Sequence, residues 1–130
     1  MAELVDQATV LILDQDLGFV LWLGEIFKEA GCQVVPALNW AQAVSIVEEF
    51  NLTVDVVVMN PGLPWVQQVL STLGTQGWMP KIVVLSDEKG NAVTLHADAN
   101  LKRPTPSQPI SRHEMLKQVQ EILREIQMIN

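Results

Sequence analysis

Apolar runs and amphipathic stretches take turns along this chain. "ATVLILD" (8–14) is a short aliphatic run, the pattern of a strand buried on both faces of a sheet. "QDLGFVLWLGEIFKEAG" (15–31) then repeats its apolar residues at helical spacing, with Gly31 placed to close the helix. On a helical wheel Phe19, Val20, Leu23, Ile26, Phe27 and Ala30 share one core arc, Trp22 stands at its margin and Leu21 falls outside it. "CQVVPA" predicts a second strand, and "NWAQAVSIVEEF" a second helix with Asn39 as its N-cap. "VDVVVM" (54–59) predicts a third strand, "PWVQQVLSTLG" a helix opening near Pro64 or Trp65, and "KIVVLS" (81–86) a fourth strand. "SRHEMLKQVQEILREIQ" (111–127) is the clearest helix. Ser111 and Glu114 form a capping box there, and Met115, Val119, Ile122 and Ile126 an apolar stripe.

Strands alternating with helices imply βαβ units, and hence a doubly wound α/β fold whose parallel sheet carries helices on both faces. Sites in such sheets form at the C-terminal ends of the strands, which gathers Asp14, Gln15, Asp16, Asn60 and Ser86 at one edge. The stretch 87–110 is irregular; its "VTLHADANL" can hold a fifth strand, and its prolines exclude a long helix after Arg103.

The 130 residues form a single domain, 1–130, long enough to bury a core without disulfides or metals. With 48% hydrophobic and 18% charged residues the chain is too apolar for disorder. A net charge of −7 without any basic run argues against nucleic-acid binding. Cys32 is the only cysteine, so there is no internal disulfide, and a lone thiol fits a reducing compartment. No apolar run approaches the roughly 20 residues of a membrane span. "MAELVDQATV" lacks the order of a signal peptide. A soluble, cytoplasmic protein is expected.

From about Thr9 to Ile126 the chain resembles a response-regulator receiver domain, the phospho-accepting module of two-component signalling. The resemblance is carried by "VLILDQD", "FKEAGCQVVPALNWAQAV", "VDVVVMNPGLP", "KIVVLS" and "LKRP", and by Leu63–Pro64, three and four residues after Asn60. It implies a five-stranded, flavodoxin-like sheet. It also implies a pocket in which receivers phosphorylate an aspartate, with Mg²⁺ held by that aspartate and an acidic pair. The chemistry needs a carboxylate nucleophile and oxygen ligands for a hard cation.

Here the acceptor position is Asn60, whose neutral amide cannot form an acyl phosphate. Asp14 matches the first acidic residue, Gln15 falls on the second, and Asp16 stands one further on. Ser86 meets the family's hydroxyl, Arg103 stands at its basic position with Lys102 beside it, and Asn100 replaces its switch aromatic. Arginine does not closely mimic the compact lysine charge. Ser86 and Arg103 are 17 residues apart, fewer than receivers use, so the family's fourth helix is expected to be shortened or missing. Pro61 blocks cyclisation of Asn60 and its conversion to aspartate.

The expectation is a degenerate pseudo-receiver. It is not an enzyme, has no cofactor and binds Mg²⁺ weakly, at Asp14 and Asp16 at most, or not at all. It acts by protein contacts with a histidine kinase or another signalling protein, or as a homodimer through the last helix. By resemblance, docking falls on the first helix, where Leu21 and Trp22 are the interface candidates. The plainer readings are that Asp14 and Asp16 are strand-end carboxylates or helix caps, that Lys102 and Arg103 pair with them without any ligand, and that Trp40, Trp65 and Trp78 cover core margins. His96 and His113 have no partners at metal or catalytic spacing, and His113 should be exposed. Two rivals remain: a phosphorylation-competent regulator using Asp16 or Ser86, and a flavodoxin-like domain binding a small molecule or nucleotide. Against the second, "DQDLG" lacks a glycine-rich phosphate cradle.

Overall fold

The computed structural model describes residues 7–60, 68, 71, 80–86 and 97–126. Five strands, β1 (Thr9–Leu13), β2 (Gln33–Ala37), β3 (Val56–Met59), β4 (Lys81–Ser86) and β5 (Ala99–Lys102), pair in parallel in the order β2-β1-β3-β4-β5. Helices α1 (Leu17–Glu29), α2 (Trp40–Glu49) and α3 (Arg112–Glu125) complete the described elements. This is the doubly wound sheet that the alternating pattern predicts, in the five-stranded, flavodoxin-like form that the resemblance implies.

The period of two along each strand divides the core into two layers. Val10, Ile12, Val56, Val58, Val83, Leu85, Ala99 and Leu101 face α1 and α3, where Val20, Leu23, Ile26, Phe27, Met115, Val119, Ile122 and Leu123 meet them. Leu11, Leu13, Val57 and Met59 face the other way, toward Ala43 and Val47 of α2. Every residue of β1 and β3 is buried, as central strands covered on both faces must be.

Helix ends are specified locally. The carboxylate of Asp16 accepts the N–H of Phe19, Asn39 accepts that of Gln42, and Ser111 accepts that of Glu114, each side chain satisfying an otherwise orphaned donor. Helix α1 closes in a Schellman motif. The Cys32 N–H reaches the Phe27 carbonyl at 3.0 Å and the Gly31 N–H that of Lys28 at 2.9 Å, around Gly31 at φ +96°, a backbone region that glycine enters without strain. Asn51, at φ 51°, closes α2 in the same way, with Leu52 bonded to Val47.

Element boundaries differ from the sequence reading in a few places. The third strand begins at Val56 rather than Val54, and Asp55 just before it joins its neighbours, its carboxylate accepting the N–H of Thr9 at 2.8 Å and its carbonyl that of Lys81 at 2.9 Å. The fifth strand occupies only the tail of "VTLHADANL" and runs on to Lys102. The first helix starts at Leu17, one residue after its cap. Pro36 lies in β2, the edge strand, where a missing N–H is tolerated. The helix expected near Pro64 and Trp65 falls largely outside the described residues, although Gln68 and Ser71 are helical. Leu63, Trp78, His96 and most of the segment where a shortened fourth helix was expected also lie outside them. His113 is exposed in the first turn of α3.

Candidate functional site

The strand order reverses between β1 and β3, and in doubly wound sheets ligands bind beyond the strand ends at such a switch point. Asp14 follows β1 there and Asn60 follows β3, while Ser86 ends β4 and Arg103 follows β5. Thus four of the residues singled out from sequence come to one edge because each terminates a parallel strand.

Asp14 is only 2% exposed. One carboxylate oxygen accepts the N–H of Asp16 at 2.9 Å. The other accepts the Asn60 side-chain amide at 3.4 Å and a guanidinium N–H of Arg103. A buried carboxylate requires such partners, since an unpaired charge there would neutralise itself or unfold the site. Arg103 also stands 3.5 Å from Asp16, and its backbone N–H donates to the Ser86 carbonyl at 2.8 Å. The guanidinium carbon lies 4.4 Å from the centre of the Phe19 ring, which adds a cation–π contact. Asp16 therefore serves twice, as the cap of α1 and as a second carboxylate for Arg103.

Among the described residues, the carboxylates at this corner are those of Asp14 and Asp16, and the guanidinium engages one oxygen from each. Asn60 turns its amide donor toward Asp14 and offers no nucleophile. Gln15 is exposed in the turn before α1. Lys102 is exposed because the pleat of β5 alternates buried and exposed positions and leaves Lys102 on the outer side. Asn100 is exposed by the same alternation, and Ser86 is half-buried.

Phe19 is the member of this constellation that sequence reading assigned to the core arc alone. Its signal was its place three residues after Asp16, in the first turn of the helix that Asp16 caps. The two interface candidates sit on that same helix. Leu21 is 52% exposed, and Trp22 is half-buried against the core, its ring 6.1 Å from that of Phe19. Trp40 is likewise half-buried, against the α2 layer. Burial and the nearby Asp55 charge push the Cys32 thiol up to about 11, so it stays protonated under physiological conditions.

No described helix is long and apolar enough to cross a membrane. No family model matches the sequence, and no curated protein matches it either. Solved structures do match it. The chemotaxis response regulator CheY4 of Vibrio cholerae aligns at 19% identity over 91% of this chain and 100% of its own, with a TM-score of 0.63. A response regulator from Thermotoga maritima gives 18%, 91% and 98%, with 0.64. The signal receiver domain of a response regulator from Bermanella marisrubri gives 21%, 91% and 99%, with 0.62. Over nine-tenths of its length, this chain is folded as response-regulator receiver domains are.

Proposed function

We propose that this domain is a pseudo-receiver, a signalling module that works through protein contacts without aspartyl phosphorylation. The observation that carries it is Asn60, at the strand end where receivers place their aspartate, with its amide turned to the buried Asp14 carboxylate. An amide cannot attack a phosphoryl donor, so the domain has no covalent intermediate to form at that position. Its output is then set by which partner it binds and which conformation that partner favours. The partner is another signalling protein, such as a histidine kinase, or a second copy of the chain, met in the cytoplasm and without a cofactor. Leu21 and Trp22 on α1 belong to the contact surface, since partly exposed aromatic and aliphatic side chains are the usual anchors of such surfaces.

Incubation with acetyl phosphate and Mg²⁺, followed by intact-mass measurement, tests the proposal. The mass is expected to stay unchanged under conditions that phosphorylate an aspartate-bearing receiver in parallel. A gain of one phosphate overturns it, and peptide mapping would then assign the acceptor to Asp16, Ser86 or another residue.

A further inference from the structure

We infer that Arg103 is a built-in replacement for the divalent cation at this corner of the fold, so that the acidic corner becomes able to bind Mg²⁺ only when Arg103 is removed. The inference rests on the pseudo-receiver reading, and it concerns what neutralises the site rather than what reacts there.

Three contacts hold the guanidinium in place. It donates to the buried carboxylate of Asp14, stands 3.5 Å from the carboxylate of Asp16, and lies over the Phe19 ring at 4.4 Å. Each carboxylate comes from the turn after β1, whereas Arg103 arrives from the end of β5. The pairing therefore ties two separate strand ends together, as a bridging metal ion would. A guanidinium presents its donors in a planar fork and keeps its charge at any ordinary pH. It suits two carboxylates at an angle and needs no free ion.

Mg²⁺ demands a compact octahedron of oxygens, and one carboxylate oxygen of Asp14 and one of Asp16 already face Arg103. An incoming ion would have to displace a covalently attached cation whose local concentration never falls. It would also bring a positive charge against the guanidinium. Asn60 adds to the mismatch by directing amide hydrogens, not an oxygen, at Asp14. The residues as arranged do not fit the ion that the receiver fold usually carries.

Thermal unfolding followed by tryptophan fluorescence, in MgCl₂ and in NaCl of matched ionic strength, tests this on the whole chain. The wild type is expected to show the same midpoint in both salts. Arg103→Gln and Arg103→Ala leave Asp14 and Asp16 without their cation, so their midpoints should fall in NaCl and rise in MgCl₂, since a ligand bound only by the folded state raises its stability. A variant that does not fold alone should fold on addition of MgCl₂. A wild type stabilised by Mg²⁺ as much as the variants overturns the inference, as do variants that ignore Mg²⁺. Neither result touches the mass measurement with acetyl phosphate, so the two readings can fail separately.

Discussion

Replacing Asp14 with asparagine should destabilise the domain by far more than its small change in shape suggests. The side chain is 2% exposed and accepts from Arg103, from the Asp16 N–H and from the Asn60 amide. Asparagine keeps one carbonyl for three donors and turns its own amide hydrogens toward the rest. Removing one member of a buried ion pair costs about 3–5 kcal/mol when the other charge is left uncompensated. Arg103 keeps Asp16 at 3.5 Å and is 22% exposed, which reduces the cost to about 2–3 kcal/mol. With a urea m-value of about 2 kcal/mol/M, the unfolding midpoint of Asp14→Asn should fall by about 1 M. Adding Arg103→Met removes the stranded charge, so the double variant should recover about 1–2 kcal/mol of that loss. Equilibrium urea titrations of the wild type, both single variants and the double variant measure this coupling. A single variant as stable as the wild type, or costs that simply add in the double variant, would refute the claim that these residues form one electrostatic unit.

Two further predictions rest on local structure. Cys32 keeps its proton to about 11 in the folded chain against a usual 9.0, so the unfolded state holds fewer protons between those values. Stability is fully present below pH 9 and declines toward pH 11, by about 2–3 kcal/mol. Chemical denaturation across that range should show the decline, and Cys32→Ala should lose this part of it. Gly31→Ala meets nothing within 4 Å, yet φ is +96° there, so the substitution should cost about 1 kcal/mol through backbone strain alone. A urea midpoint unchanged in Gly31→Ala would count against that account.

The sheet was legible because β1 and β3 are buried on both faces and therefore read as unbroken aliphatic runs. Strand β5 was nearly hidden, since only Ala99 and Leu101 of its four residues are buried and the flanking sequence is polar. Its position is fixed by Asp98, whose carboxylate accepts the Ile82 N–H at 2.7 Å. Asp55 does the same for β1 at Thr9. Carboxylates that terminate ladders carry no periodicity, and neither was visible as a cap in the sequence. At the corner itself, position after a strand brought forward Asp14, Asp16 and Asn60, whereas Arg103 came forward only through the resemblance, as the basic residue before a proline. Spacing could not choose between Lys102 and Arg103. The choice depends on where β5 ends and how it pleats, which places Lys102 outward and lets Arg103 turn back over Phe19.

The edge strand β2 has a consequence for how copies of this chain meet. Gln33 donates its backbone N–H to Ala8 of the neighbouring segment, and Ala37 accepts from Asp14. By alternation along a strand, the backbone of Pro36 faces the open side. The ring leaves no donor there, so an incoming strand would find a gap in the ladder it tried to extend. Lys102, exposed on the opposite edge strand β5, puts a charge on that margin. Both margins thus resist growth into a continuous intermolecular sheet, the usual route by which exposed strand edges lead to aggregation.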